Sequence, residues 1–207
     1  MDAVDDGFLP DQVQTFARSL QEKYGGEFKT LEDRHLDQAI EQELEGVPWL
    51  SPFLPSSPEA MSAFVQLAGV SSDDVILDVG CGDGRILVAA AKVIGCRGIG
   101  VDVSQECINS AKEIGRAEGV SELLSWHCVD ATHSEVVEEL RLLEATVVFL
   151  YAYPTLLAQL EVLLTRLRKA GARVVTLQYH MVGEGWEASK SYNDDPSMRL
   201  YSPLASS

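Results

Sequence analysis

Residues 75–85 read Val-Ile-Leu-Asp-Val-Gly-Cys-Gly-Asp-Gly-Arg, and this stretch determines the fold that the sequence predicts. The run Val75–Val79 is apolar and β-branched, which is typical of a strand buried on both faces. Three glycines follow at alternate positions, and apolar residues then recur at helical spacing from Ile86 to Ile94. Because glycine has no Cβ, such a turn lets the backbone lie directly against a ligand. The stretch therefore predicts a strand, a ligand-binding turn and a helix.

A second predicted strand, Gly98–Val101, follows that helix and ends in Asp102. In folds that bind a nucleotide at a glycine turn, an acid about twenty residues further along accepts hydrogen bonds from the ribose hydroxyls. Asp102 stands at that distance from the glycines. The two strands together predict a nucleotide-binding α/β sheet.

Two ligands compete for this turn, a dinucleotide and S-adenosylmethionine (SAM). Dinucleotide folds use the spacing G-x-G-x-x-G and hold a pyrophosphate at the N-terminus of the next helix. Here the glycines stand at positions 80, 82 and 84, with Asp78 before them and Asp83 among them. Carboxylates repel a pyrophosphate, whereas they attract the sulfonium and ammonium groups of SAM. The acids therefore favour SAM as the cofactor.

The same residues resemble the first motif of the class I SAM-dependent methyltransferases, D/E-x-G-x-G-x-G, which residues 78–84 match without a gap. The resemblance implies an α/β fold, a Rossmann-like, doubly wound sheet of seven strands. No metal is expected, because the four cysteines lack the spacing of metal ligands. The resemblance also implies a set of cofactor-binding residues after the first two strands: Asp78, Gly80, Gly82, Gly84, Asp102 and Val103.

The resemblance continues in later strands. Ser125–Val129 is a predicted third strand, and the family has an acid after it that accepts from the adenine amino group; Asp130 and Ala131 match that position. Trp186–Tyr192 and Met198–Tyr201 are predicted to form the antiparallel hairpin that closes the sheet in this class.

Residues 1–47 are predicted to form an acidic helical extension, separate from a methyltransferase domain at residues 48–207. Apolar residues recur at helical spacing up to Tyr24, and Gly25-Gly26 ends that helix. A second helix is predicted around Leu36 to Leu44. These helices have three possible roles, as a packed layer, a lid or a partner-binding surface, of which we expect packing.

A proline-rich stretch from Val47 to Pro58 leads into the next predicted helix. Ser57 has the position of an N-cap, with proline and an acid directly after it. The stretch resembles the opening V-P-x-x-P-T/S-x-E of small protein-lysine methyltransferases, found in archaea and in the eukaryotic branch that modifies mitochondrial carrier and ATP-synthase proteins. In that family a hydroxyl here contacts SAM. Because residues are inserted in this chain, either Ser56 or Ser57 takes that position, and we assign Ser57, whose alternative role is a helix cap alone.

The fourth predicted strand ends in Tyr151-Ala-Tyr153-Pro. Ligands of open α/β sheets lie at the carboxyl ends of the strands, so Tyr151 and Tyr153 are candidate catalytic residues. The segment is similar to that of the lysine-methylating family, although Tyr153 stands where the family usually has leucine. Aromatic faces of these residues, and of Tyr179 or Trp186, would line a lysine channel and stabilise a cation there; ordinary packing is the alternative.

The resemblance implies in-line transfer of the SAM methyl group to a neutral lysine amine of a protein. Such chemistry depends on alignment and on loss of the ammonium proton. A small-molecule N- or O-methyltransferase is one alternative, since fold does not determine substrate. A SAM-binding protein without transferase activity is another, and the intact acids argue against it.

Charge and cysteine content restrict the partner and the compartment. The net charge of −16 argues against a nucleic-acid partner; it is compatible with a basic, lysine-bearing protein and equally with solubility alone. The sequence contains no apolar run of the roughly 18 residues that a membrane span needs and no basic targeting signal at its N-terminus. The four cysteines lack a C-x-x-C pair, which predicts reduced, buried thiols and a cytoplasmic location.

Overall fold

The computed structural model describes residues 8–25, 56–193 and 195–205. Helices and strands alternate through most of this part of the chain. In chain order they are α1 (Phe8–Tyr24), α2 (Pro58–Ala68), β1 (Val75–Val79), α3 (Arg85–Ile94), β2 (Arg97–Asp102), α4 (Gln105–Ala117), β3 (Leu124–Cys128), α5 (Ser134–Glu139), β4 (Val147–Leu150), α6 (Pro154–Lys169), β5 (Arg173–Leu177), β6 (Lys190–Tyr192) and β7 (Asp195–Tyr201).

The described strands form one seven-stranded sheet in the order β3-β2-β1-β4-β5-β7-β6. Neighbouring strands from β3 to β5 are parallel, and β7 is antiparallel to both β5 and β6. The chain runs outward from β1 to β3 and then returns to β4 on the other side of β1. A ligand crevice is expected where the strand order reverses in this way, at the carboxyl ends of β1 and β4.

Helices cover both faces of the central strand β1. Ile76 belongs to a core that α1, α2 and α3 cover, whereas Leu77 belongs to a core on the other face that α5 and α6 cover. All five residues of β1 are buried, which explains its continuous apolar sequence. The predicted Rossmann-like, doubly wound α/β sheet and its closing hairpin are confirmed.

The first helix packs on the domain. One face of α1 belongs to the same core as α2, α3 and Ile76, and three of its residues are at most 2% exposed: Val13, Ala17 and Leu20. For this helix, packing is therefore the role that the structure supports. The second predicted helix, around Leu36 to Leu44, and the proline-rich residues before Ser56 lie outside the described residues.

Several element boundaries differ from those that the sequence predicts. Helix α4 begins at Gln105 because the Ser104 hydroxyl caps it, accepting from the Cys107 N–H at 3.3 Å. Strand β3 spans Leu124–Cys128, where the sequence predicts Ser125–Val129, and β6 begins at Lys190, four residues after Trp186, where the predicted hairpin begins. No helix in the three described ranges is both long and apolar enough to cross a membrane.

Candidate cofactor-binding and methyl-transfer site

Three acidic residues lie at one edge of the sheet, at the carboxyl ends of neighbouring parallel strands. Asp78 is the next-to-last residue of β1, Asp102 is the last residue of β2, and Asp130 follows β3 by two residues. The Val129 N–H donates to the main-chain carbonyl of Asp102 at 3.0 Å, which joins the ends of β2 and β3. The structure thus brings together the three acids that the sequence predicts for the site.

The glycine turn follows β1 and folds over the end of β2. Gly80, Gly82 and Gly84 all have positive φ angles, of 79°, 54° and 73°, a region that glycine enters without steric cost. The N–H groups of Gly80 and Cys81 both donate to the Val101 carbonyl, at 2.8 and 3.0 Å. A Cβ added at Gly80 would meet nothing within 4 Å. The turn therefore offers open backbone, as a bound cofactor requires.

The carboxylate of Asp102 fastens this turn to β2. One oxygen accepts from the Gly82 N–H at 2.9 Å, and the other accepts from the Ser104 N–H at 2.8 Å. Each carboxylate oxygen can accept a second hydrogen bond, so Asp102 can still receive ribose hydroxyls. Val103 beside it is 56% exposed and open to contact with a ligand.

Gly84 must lack a side chain because the ring of Trp126 packs against it, and the local sequence pattern does not reveal this contact. A Cβ at this position would lie 2.3 Å from Cη2 and 2.5 Å from Cζ3 of Trp126. Gly100 in β2 is restricted in the same way, at 2.4 Å from Cε3 of that ring. The indole of Trp126 therefore packs against two glycines, one in the turn and one in β2. The two glycines of β2, Gly98 and Gly100, were a sequence signal for a close approach of this kind.

Burial gives Asp78 an unusual protonation behaviour. Its side chain is 3% exposed. Loss of solvation, and then the charges of Asp102 and Asp83, raise its pKa to about 8. A cation placed nearby would favour the ionised form of Asp78.

Asp83 is neutralised within the protein. The Arg85 Nε donates to Asp83 Oδ1 at 2.9 Å, and the Arg85 side chain is 7% exposed. The sequence pattern assigned the charge of Asp83 to attraction of a cationic ligand, whereas the structure pairs it with the neighbouring arginine. The Asp-Gly-Arg order was a signal for that pairing. Of the acids in and beside this turn, Asp78 and Asp102 therefore remain the candidates for attracting a cationic ligand.

The loop after β3 presents Asp130 as an exposed acceptor. Partial burial would raise the pKa of Asp130, but hydrogen bonds from the Thr132 hydroxyl and N–H lower it below its ordinary value. Those bonds are 2.7 and 2.9 Å long and reach one carboxylate oxygen. Ala131 is buried behind it, at 7% exposure.

Ser57 caps α2, as the sequence predicts. Its hydroxyl accepts from the Ala60 N–H at 3.1 Å, and its backbone is extended, with φ −66° and ψ 157°. The neighbouring Ser56 is buried. The capping role is confirmed, and contact of Ser57 with the cofactor stays a prediction.

Aromatic residues join the ends of β4 and β5. Tyr153, 7% exposed, has its ring centroid 5.2 Å from that of Tyr179, with the planes at 50°. Tyr151 is partly buried against the core that α1, α2 and α3 cover. Between β5 and Tyr179 the chain turns sharply at Gln178, whose φ is 69°. The two candidate tyrosines therefore lie just after the carboxyl end of β4, at the edge of the sheet where ligands of open α/β sheets bind.

Trp186 does not belong to an open aromatic channel. Its ring is 6% exposed and lies 4.6 Å from the Arg168 guanidinium. The ring of Tyr201 meets it edge-on at 5.4 Å, and its Nε1 donates to Glu161 at 3.3 Å. For Trp186 these contacts with α6 and β7 support ordinary packing, the alternative to the channel role.

The cysteines are all free thiols, but they are not all buried. Cys81 and Cys96 are buried, Cys107 is half-buried and Cys128 is exposed. The expectation of buried thiols is thus wrong for Cys128, which ends the sheet's outermost parallel strand. Within the described ranges, no three potential metal ligands cluster together.

Comparison with known proteins assigns this architecture to a family. Residues 78–190 match the ANTKMT methyltransferase domain. A protein-lysine N-methyltransferase of Saccharolobus islandicus (strain REY15A) is 32% identical over 136 residues, which are 65% of this chain and 80% of the relative. A ribosomal protein L11 methyltransferase of Thermotoga maritima is 35% identical over 66 residues, or 32% of this chain and 25% of the relative.

Solved structures agree with that assignment. An RNA methyltransferase from Salinibacter ruber, in complex with S-adenosyl-L-homocysteine, superposes with a TM-score of 0.60 at 28% identity, over 72% of this chain and 91% of that one. TrmN from Thermus thermophilus shares the fold, with a TM-score of 0.53 at 19% identity, over 72% of this chain and 49% of that one. The match to more than half of the sequence establishes that this chain belongs to the ANTKMT methyltransferase domain family and is a SAM-dependent methyltransferase.

Proposed function

We propose that this enzyme methylates the side-chain amine of a lysine residue in a protein. The observation that carries the proposal is the 32% identity to a protein-lysine N-methyltransferase across 80% of that relative's length. The strand-end tyrosines support it, because aromatic faces stabilise an amine that still carries charge.

The residues at the sheet edge have the chemistry to hold SAM, which supplies an electrophilic methyl group when bound. We propose that the backbone of the glycine turn lies along the cofactor and that Asp102 accepts the ribose hydroxyls. Asp130, ionised and exposed, accepts from the adenine amino group. We propose that four further side chains border the cofactor, those of Ser57, Asp78, Val103 and Ala131.

Tyr151 and Tyr153 are proposed to receive the acceptor. A lysine ammonium ion must lose a proton before its nitrogen can act as a nucleophile. Attraction to the ring faces favours the ammonium form, whereas partial dehydration beside the rings disfavours it. We propose that dehydration is the larger effect, so that the lysine pKa falls and the proton leaves to solvent. The Tyr153–Tyr179 ring pair supplies a rigid apolar wall for such a position.

Two further assignments complete the proposal. Residues 1–47 form an extension to a methyltransferase domain at 48–207, since every strand of the sheet comes from the later range. The enzyme works in a reducing compartment, the cytoplasm, where four free thiols persist. Its partner is a basic or lysine-bearing protein, which the net charge of −16 attracts.

RNA is the principal competing substrate, because a solved structure that matches 72% of this chain is of an RNA methyltransferase. The net charge of −16 opposes that substrate, since phosphate backbones bind to basic surfaces. A small-molecule acceptor is the other alternative.

The proposal is tested by measuring which class of molecule receives the labelled methyl group. The enzyme and methyl-tritiated SAM are incubated with a cell lysate, which is then separated into protein, RNA and metabolite fractions. Label should enter the protein fraction, survive ribonuclease and be released by protease. An Asp102→Ala variant provides the background. Label that enters only RNA or only metabolites would refute the protein substrate.

A further inference from the structure

Arg85 connects the cofactor turn with the N-terminal helix. It is the first residue of α3, and its side chain is 7% exposed. Its Nε donates to Asp83 in the glycine turn at 2.9 Å, and its Nη2 donates to the Gly25 carbonyl at 3.1 Å. Gly25 directly follows α1 and ends it, its N–H donating to the Gln21 carbonyl at 2.9 Å. One buried cation thus joins two segments that are 60 residues apart.

The same helix contacts a second element of the candidate site. Gln14 and Arg18 of α1 donate to one carboxylate oxygen of Glu59, at 3.0 and 2.8 Å. Glu59 lies in the first turn of α2, two residues after the cap Ser57. Helix α1 therefore contacts both the element that carries Ser57 and, through Arg85, the glycine turn.

We propose that Arg85 is a positioning residue for the cofactor and that α1 supports the cofactor site through it. This inference concerns SAM binding, so it stands whichever acceptor the enzyme uses.

The glycine turn needs external restraints. Glycine loses more conformational freedom on ordering than any other residue, and three glycines lie within five positions here. Asp102, at the end of β2, restrains the turn at Gly82. Arg85, at the start of α3, restrains it at Asp83. A turn that is already ordered binds its ligand at lower entropic cost.

Loss of Arg85 would leave the Asp83 carboxylate, 15% exposed, without its cation. An uncompensated, partly buried charge is strongly unfavourable, so the turn would move to expose it. Lysine does not replace arginine here, because a single ammonium group lacks the fork that reaches both a carboxylate and a main-chain carbonyl. The coupling is also reciprocal: a ligand that orders the turn must stabilise the end of α1.

Calorimetry with S-adenosylhomocysteine tests the proposal in the full-length chain. Arg85→Met should weaken binding about tenfold, because the ligand must then bear the entropic cost of ordering the turn, and Arg85→Lys should lie between it and the wild type. Lys23→Ala is the matched control. It removes another anchor at the same end of α1, the 2.7 Å pair with Glu118, and should bind with wild-type affinity.

Hydrogen exchange distinguishes a positioning role of Arg85 from a merely structural one. It uses the wild type, Lys23→Ala and Arg85→Lys, so it does not require that Arg85→Met folds. In the wild type and in Lys23→Ala, S-adenosylhomocysteine should slow exchange of the amides from Gln21 to Gly25. In Arg85→Lys it should slow them less. Wild-type affinity in a folded Arg85→Met variant, or unchanged exchange in the wild type, would overturn the proposal.

Discussion

We propose that Asp102 serves both the fold and the ligand with the same carboxylate. It accepts from the Gly82 and Ser104 N–H groups and retains capacity for ribose hydroxyls. Asp102→Ala should weaken SAM binding at least about tenfold, since charged hydrogen bonds contribute roughly 1.5–3 kcal/mol. Asp102→Asn keeps one carbonyl acceptor and should have an intermediate effect. Calorimetry, with circular dichroism as the folding control, measures both; unchanged affinity in a folded Asp102→Ala would remove this residue from the site.

Asp78 links protonation to stability and to cofactor binding. Burial, with the charges of Asp102 and Asp83, raises its pKa to about 8, against about 3.9 in an unfolded chain. Between these values the native state holds a proton that the unfolded state has lost. The contribution of Asp78 to stability is therefore fully present below about pH 4 and is lost as pH rises through about 8.

Binding of cationic SAM should release that proton, because a nearby positive charge favours the carboxylate. We expect SAM affinity to rise with pH up to about 8, and Asp78→Asn to abolish both the rise and the proton release. Calorimetry in two buffers of different ionisation enthalpy counts the released protons. Equal apparent enthalpies of binding in the two buffers would contradict this account of Asp78.

Gly84 and Gly119 allow backbone strain to be separated from packing. Their φ angles are 73° and 74°, but a Cβ meets Trp126 at 2.3 Å in the first case and nothing within 4 Å in the second. Both alanine variants should lose about 1–2 kcal/mol from the left-handed backbone. Gly84→Ala should lose about 1–3 kcal/mol more from overpacking. Urea unfolding measures the difference, and equal losses would mean that Trp126 does not constrain Gly84.

Local pattern reveals some of these residues and not others. The glycine turn, Asp102 and the Ser57 cap were predictable, because each follows from the sequence within a few positions of a strand or helix end. The contact of Trp126 with Gly84 and that of Arg85 with Gly25 were not. Both join positions far apart in the chain, so only the assembled fold creates them.

At the scale of elements, helical periodicity shows that α1 has an apolar face but not which surface that face covers. The structure places it on α2 and α3, with Leu20 2% exposed. Strand β1 was easier to predict, since burial on both faces gives a continuous apolar run. The second predicted helix lies between Gly26 and Pro55, outside the described residues, and it remains a prediction.

Deletion of residues 1–47 tests the domain boundary. All strands in the described part of the chain lie beyond it, so the shortened protein should still fold, and its circular dichroism spectrum should lose the helical signal of α1 but keep that of a folded α/β protein. It should melt at a lower temperature, because each large apolar side chain removed from the core contributes about 1.5–3 kcal/mol. In the full chain, Leu20→Ala should cost about 2–5 kcal/mol, and the exposed Glu22→Ala should cost little. If the shortened protein does not fold, the helix belongs to the domain.

At the scale of the whole molecule, we propose that the strand-end acids hold the cofactor, and that surface charge and the tyrosines after β4 select the acceptor. The net charge of −16 disfavours polyanions and attracts basic proteins over about 8 Å at physiological salt. Capture of a lysine-bearing protein, followed by its dehydration beside Tyr151 and Tyr153, is the central claim.

Identification of the methylated atom tests that claim most directly. The enzyme is incubated with a lysate and SAM that carries a deuterated methyl group, and the digested proteins are sequenced by mass spectrometry. We predict the heavy methyl group on lysine Nζ atoms, with none in the parallel reaction of Asp102→Ala. A heavy methyl group found only on other side chains, or only on RNA nucleotides or metabolites, would contradict the assignment of this enzyme as a protein-lysine methyltransferase.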